Sequence, residues 1–334
     1  MANKKILIIQ TSFIGDVVLA TSLIAKINQF FPQSTIDFLL KKGNEELLND
    51  DPKVSRVLIF DKSKSRIFEL FKLIRIVRKS RYDVVVNVHR FLSSGIVTAL
   101  SNAKETVGFD KNPLSFLFTK KLTHSIGDGK HEIERNQQLI AHLTDNDAAK
   151  PYLHLNEKVS RKVEEYKSVE YITISPSSVW YTKQLPKQQW ISFLNKSGFK
   201  GVIYFLGARS DFATCEFIRK CLNNNLKAVN MCGELSMLES ASLMESALMN
   251  YMNDSAPLHF SSAVNAPTTA VFCSTIPAFG FGPLAKNSRV IEVKKTLNCR
   301  PCGIHGHQSC PESNFSCARE IDVQDLLDAL PSNS

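Results

Sequence analysis

With 334 residues, 43% of them hydrophobic and 22% charged, the chain has the composition of a folded globular protein and the length of about two domains, which excludes a disordered or fibrous chain. No apolar run reaches the roughly 18 residues of a membrane span, and Met1-Ala2-Asn3-Lys4-Lys5 leads only into the short run Ile6 to Ile9, not a secretory leader, so the expectation is a cytoplasmic protein. The 41 basic against 32 acidic residues give +9, which favours phosphates, nucleic acid or an acidic membrane surface without choosing among them.

In chain order, short β-branched runs alternate with helical patterns. Lys5 to Gln10, Thr35 to Leu40, Ser55 to Phe60, Asp83 to Val88 and Glu105 to Phe109 are short, apolar and bounded by polar or turn residues, which predicts strands. Helices are predicted between them at about 16–30, 65–79 and 91–102. After a polar stretch from Asp145 to Glu164 the alternation restarts, with strands at Tyr171 to Ser175 and Gly201 to Leu206 and helices near Lys187 to Asn195 and Asp211 to Asn223. Apolar runs at Thr268 to Cys273 and Arg289 to Val293 continue it. Such alternation implies parallel strands with helices on both faces. The predicted class is therefore α/β, with doubly wound, Rossmann-like domains at 1–155 and 156–322 and a C-terminal helix and tail at 323–334. The last helix is expected to pack back across the first domain, and a ligand to sit in a cleft at the carboxyl ends of the strands.

Several loops at predicted strand ends carry chemistry. Thr11-Ser12-Phe13-Ile14-Gly15-Asp16 follows the first strand, and a glycine there lets a ligand approach the backbone at a helix start that favours negative charge. The dinucleotide fingerprint needs three glycines and only Gly15 is present, which argues against a nicotinamide enzyme. Asp16 either complements the helix dipole or acts as a general base. In Ser175-Pro176-Ser177-Ser178-Val179-Trp180-Tyr181-Thr182-Lys183, hydroxyls and one compact cation suit a diphosphate, although a solvated turn has the same composition. Asp254, Ser255 and Pro257 read both as a helix cap and as a second anion-binding helix start, with His259 one turn on.

Taken together, four segments resemble glycosyltransferase family 9, the lipopolysaccharide heptosyltransferases: Thr11-Ser12-x-x-Gly15-Asp16, Ser178-x-Trp180-x-Thr182-Lys183-x-x-Pro186, Asn253-Asp254-Ser255-x-Pro257-x-His259 and Thr275-Ile276-Pro277-x-Phe279-Gly280-Phe281-Gly282-Pro283. The resemblance spans nearly the whole chain in order. It implies a GT-B fold, two Rossmann-like domains facing a central cleft, with the acceptor on the first domain and the nucleotide sugar on the second. It also implies inverting, metal-independent transfer from ADP-heptose to a lipopolysaccharide inner-core glycolipid, with no cofactor required for catalysis. Carried across, Asp16 becomes the catalytic base, Ser177, Ser178 and Lys183 the donor phosphate contacts, and Asp254, Ser255, Ala256 and Pro257 the second phosphate turn with His259 beside it. Gly15 belongs to the same donor set, and Asp211 falls where the family has an acidic ribose contact. Ala256 replaces the family's glycine, which keeps an N–H contact unless the turn needs positive φ. A transferase or epimerase using another nucleotide sugar fits the same motifs. A basic nucleic-acid-binding protein is the reading of another class, but no aromatic-interleaved basic motif supports it, and no nucleic-acid partner is expected.

Other residues leave their roles open. His89 with Arg90, and His131 with Arg135, are candidates for acceptor phosphate or carboxylate groups, or are helix caps and ion pairs. Arg66, Lys72, Arg75, Arg78, Lys79 and Arg81, interleaved with Ile67, Phe68, Phe71, Ile74 and Val77, describe a basic amphipathic helix: an ordinary domain helix, or a face for peripheral contact with the inner membrane surface. Cys299, Cys302, Cys310 and Cys317 offer four soft ligands in the loop 299–317, read as a structural zinc site, as disulfides or as reduced thiols. His305 and His307 are alternative ligands, and the loop is expected to act structurally, apart from the phosphate motifs.

Overall fold

The run Lys-Ile-Leu-Ile-Ile-Gln is apolar toward both faces of a sheet, as a central parallel strand requires, and it forms β1 (Lys5–Gln10) with every residue after Lys5 buried. The computed structural model describes residues 3–63 and 65–331, and the chain divides into two compact units between His154 and Leu155.

In the first unit β1 is followed by α1 (Ile14–Phe30), β2 (Thr35–Lys41), β3 (Arg56–Phe60), α2 (Arg66–Ser80), β4 (Val84–Asn87), α3 (Leu92–Ala99), β5 (Glu105–Phe109), β6 (Lys120–Leu122) and α4 (Glu132–Gln138). The strands form one sheet in the order β3-β2-β1-β4-β5-β6, all pairs parallel. Leu7, Ile9, Leu39, Leu58 and Val85 pack against Leu73 and Val77 of α2. The order reverses between β1 and β4, where Ile9 pairs with Asn87, so the loops leaving these two strands flank the ligand crevice expected at such a switch point.

The second unit contains α5 (Glu157–Lys162), β7 (Tyr171–Ser175), α6 (Lys187–Lys196), β8 (Val202–Phe205), α7 (Phe212–Lys220), β9 (Lys227–Asn230), α8 (Met237–Glu245), β10 (Met249–Asn253), α9 (Ala256–Ala263), β11 (Thr268–Phe272), β12 (Ser288–Glu292), α10 (Ser316–Arg319) and α11 (Val323–Leu327). Its parallel sheet runs β12-β11-β10-β7-β8-β9, the same winding as the first, with the reversal between β7 and β10. Trp190, Phe193, Phe205 and Tyr251 are fully buried in its core, and each such side chain stabilises the fold by roughly 1.5–3 kcal/mol.

Two edge strands differ from the sequence expectation. β6 is three residues with two lysines, and β9 reads Lys-Ala-Val-Asn and is only half-buried; an edge strand buries too little to show an apolar run. The C-terminal helix is also corrected: α11 packs against α6 of its own unit, and the Tyr251 hydroxyl lies 3.4 Å from the Leu326 carbonyl. Leu326 and Ala329 belong to the second unit's core. Among the described residues no helix is long and apolar enough to cross a membrane.

Candidate active site

In the first unit, the chain leaves β1 through Thr11, Ser12 and Phe13 and turns into α1. The Phe13 N–H donates to Asp16 Oδ2 at 3.2 Å, so Asp16 does cap its own helix. It is nevertheless partly buried, and desolvation pushes its carboxyl above the ordinary value, reinforced by the nearby Glu132 charge and opposed by Ser12, the Phe13 amide and Arg90. A purely dipole-complementing carboxylate would be shifted down, whereas this one is shifted up.

Beside that turn, a cavity of about 360 Å³ is lined by Thr11, Ser12, Lys62, His89, Phe91 and Ile96 among others. The His89 Nδ1 and Thr11 hydroxyl are 2.9 Å apart, and Lys62 donates to the Thr11 carbonyl at 2.8 Å. Burial, then the Lys62 and Arg90 charges, push the His89 pKa down to about 3, so the imidazole is neutral near pH 7. Asn112 fixes the loop after β4 by donating to the carbonyls of His89 and Phe91 at 3.2 and 3.0 Å.

In the second unit, the paired ends of β7 and β10 hold Ser175 and Asn253. Asn253 is fully buried and ties the two loops together: its amide donates to the Pro176 carbonyl at 2.6 Å, and its oxygen accepts from the Leu185 N–H at 3.0 Å. Lys183, in a single 3₁₀ turn, forms a 2.6 Å ion pair with Asp254 Oδ2, and the Thr275 hydroxyl donates to the same oxygen at 2.6 Å. Ser255 precedes α9 in extended conformation, and Pro257 sits in the first turn. Ala256 is helical, and it is absent from the positive-φ residues, which are Arg81, Asn102, Asn265, Ser313 and Phe315 apart from glycines. The alanine therefore meets no backbone conflict at the helix start. A compact cation, hydroxyls and a helix N-terminus at a sheet switch point are the kinds of group that bind a diphosphate.

Residues 70–311 match the family described as Glycosyltransferase family 9 (heptosyltransferase), well over half of the chain. The chain belongs to glycosyltransferase family 9. It is 25% identical over 280 residues to lipopolysaccharide heptosyltransferase 3 of Escherichia coli, covering 79% of this chain and 82% of that protein. In fold it is similar to a family 9 glycosyltransferase from Veillonella parvula, with TM-score 0.83, 18% identity and 98% and 97% of the two chains covered. It is also similar to the E. coli heptosyltransferase WaaC solved with ADP-2-deoxy-2-fluoro heptose, with TM-score 0.71, 17% identity and 97% and 99% covered. The α/β, GT-B architecture expected from the sequence is the architecture found.

Within this family 9 glycosyltransferase, Gly15, Asp16, His89 and Arg90 follow the carboxyl ends of the adjacent central strands β1 and β4, and Ser177, Ser178, Lys183, Asp254, Ser255, Ala256 and Pro257 follow those of β7 and β10. His259, buried one turn into α9, meets Phe281 edge-on at 6.4 Å between ring centroids. Three candidates have structural occupations. Asp211 accepts from the Ala208 N–H at 2.8 Å and caps its own turn after β8. His131 caps α4 by accepting from the Ile133 N–H at 3.3 Å. Arg135 is 1% exposed, held by Glu132 at 2.8 Å and the Lys130 carbonyl at 2.6 Å. Its charge is satisfied inside the unit and not presented to an acceptor. Sequence reasoning missed His124, which lies 3.0 Å from Arg90 and 3.5 Å from Glu132 and so connects the Arg90 loop to α4.

The segment 299–317 departs furthest from expectation. All eight cysteines are free, and among the described residues no group of three or more His, Cys, Asp or Glu side chains is arranged to hold a metal ion, so of the zinc, disulfide and reduced-thiol readings the structure carries the thiols. Cys317 instead lies in the second unit's apolar core and Cys310 packs against it; burial pushes the Cys317 thiol up to about 11. Nor is the segment apart from the phosphate motifs. Arg300 anchors it on the end of β11, donating to the carbonyls of Cys273 and Thr275 at 2.6 and 2.8 Å. His307 and Thr182 then clasp each other: the Thr182 N–H donates to the His307 carbonyl at 3.1 Å, and the His307 N–H donates to the Thr182 hydroxyl at 2.8 Å. Trp180 stacks on His305 at 6.4 Å. The strap thus fixes the residue preceding Lys183.

Proposed function

We propose that this glycosyltransferase transfers heptose from ADP-heptose, with inversion, to the inner core of a lipopolysaccharide acceptor at the cytoplasmic face of the inner membrane. The observation that carries the reading is Asp16, a carboxylate raised by desolvation at the carboxyl end of β1. One of its oxygens accepts the proton of an acceptor hydroxyl while that hydroxyl oxygen attacks the anomeric carbon of the sugar. The bond from that carbon to the diphosphate oxygen breaks, and ADP leaves with the electron pair. Attack opposite the leaving group inverts the anomeric centre, and neither a metal nor a further cofactor enters the step.

The second unit supplies the donor side. Lys183, the hydroxyls of Ser177 and Ser178 and the N-terminus of α9 at Ser255, Ala256 and Pro257 stabilise the diphosphate as its charge develops. The ion pair with Asp254 at 2.6 Å holds the Lys183 ammonium in place beside the start of α9. The test is incubation with ADP-heptose and core glycolipids, with product mass and anomeric configuration as readouts. A heptosylated product of inverted configuration is expected. Transfer only from another nucleotide sugar, or interconversion of a nucleotide sugar without acceptor, would overturn the reading.

A further inference from the structure

The helix α2 buries Leu73 and Val77 against the first unit's sheet, with Leu70 and Ile74 half-buried beside them. At 100° per residue, Phe68 and Phe71 fall outside that stripe. Phe68 is 76% exposed, Phe71 67% and Ile67 65%, so three large apolar side chains that the sequence pattern groups with the core face water instead. The same helix continues into Lys72, Arg75 and Lys79, all exposed, and among the described residues none of these three forms an ion pair. Five basic residues against Glu69 alone make Arg66–Ser80 strongly cationic. Contiguous exposed apolar surface beside unpaired cations marks an interaction site, and the partner complementary to both is an anionic lipid surface. A polyanion such as nucleic acid would use the cations but leave the phenylalanines in water.

Position supports the same partner. Leu70 of α2 lines the cavity beside Asp16, and Phe91 and Leu92, at the start of α3, line it too and are exposed. The apolar surface of α2 therefore runs to the mouth of that cavity.

We propose that the outer face of α2 docks this enzyme on anionic membrane, with Phe68 and Phe71 entering the acyl boundary and Lys72, Arg75 and Lys79 meeting the head groups, so that the cavity beside Asp16 opens at the lipid surface. The purpose of the surface rests on the glycolipid-acceptor reading; its test does not. Co-sedimentation with vesicles of phosphatidylglycerol and phosphatidylethanolamine is compared with phosphatidylcholine vesicles. Wild-type protein is expected to bind the anionic vesicles with strong salt dependence. Phe68→Ser with Phe71→Ser should lower partition about ten-fold or more, and each of Lys72→Gln, Arg75→Gln and Lys79→Gln about five-fold. Turnover on a water-soluble, delipidated acceptor should be unchanged in all of them, while turnover on vesicle-embedded acceptor falls with partition. Vesicle binding unaffected by either set overturns the inference. A wild-type dimer that the double Phe variant converts to monomer also overturns it, in favour of a second copy covering the patch. If no acceptor is heptosylated but vesicle binding responds as stated, the functional reading fails and the docking surface stands.

Discussion

Replacing Lys183 by alanine removes one end of an ion pair whose other end is 5% exposed as a residue. The Lys183 and Asp254 side chains are 14% and 7% exposed and their charged atoms 2.6 Å apart. Removing one partner of a buried pair costs about 3–5 kcal/mol, because the remaining charge stays desolvated. Asp254 keeps the Thr275 hydroxyl at 2.6 Å, which places the cost near the lower end, about 3 kcal/mol, or a fall of about 6–12 °C in melting temperature for a domain of this size. The donor side is separate: losing one hydrogen bond to a charged group costs about 1.5–3 kcal/mol, a weakening of ADP affinity of about 10- to 150-fold. Adding Asp254→Asn discriminates the two effects. In the double variant no charge is left buried, so stability should return to within about 1 kcal/mol of wild type while ADP affinity stays low. Calorimetric titration with ADP and thermal unfolding of the single and double variants form the assay. If Lys183→Ala binds ADP normally, Lys183 is a structural partner of Asp254 and the donor assignment is wrong; if the double variant is no more stable than Lys183→Ala, the buried-charge argument is wrong.

Asp16→Asn should keep ADP affinity and the cap on Phe13, since an amide oxygen still accepts, but lower kcat about 10²- to 10⁴-fold; single-turnover kinetics within ten-fold of wild type would remove it as the base. The sign of its pKa shift fixes two further outcomes. A carboxyl raised in the folded state disfavours folding once ionised, a cost set by the pH rising through its folded value, so near pH 7 the asparagine variant should be no less stable than wild type. The acid limb of the wild-type rate profile should lie above that of an unperturbed aspartate. Gly306 has φ +76, and an added Cβ would stand 2.8 Å from the Thr182 hydroxyl, so Gly306→Ala should loosen the strap and weaken ADP binding, measured by titration, with a stability loss of about 1–3 kcal/mol. Arg135→Ala should unfold at lower temperature, by the about 3–5 kcal/mol of a broken buried pair, and kinetics on the surviving folded fraction should show an unchanged acceptor KM.

The sequence by itself determined the winding. β1, β4 and β7 are apolar on both faces, a pattern only a covered parallel strand tolerates, and the residues just beyond β1, β7 and β10 are the short polar, Gly, Ser and Asp residues that helix starts and anion sites need. These signals are local, because strand burial and helix capping are decided within a few residues. The partners of those residues were not legible. Lys183 is held by Asp254 and Thr182 by His307, 125 positions away, and no periodicity encodes which loops a sheet brings side by side. The cysteine spacing was readable as a metal site, yet two of the sulfurs are spent in the apolar core. Arg135 was readable as an acceptor contact or as an ion pair, and it is the ion pair with Glu132, buried inside the unit. On α2 the apolar count is local, but which apolar side chains are buried depends on where the helix lies on its sheet, and that left Phe68 and Phe71 facing outward. Tertiary packing decided these outcomes because burial is a property of what lies opposite a side chain, and the sequence states only the side chain.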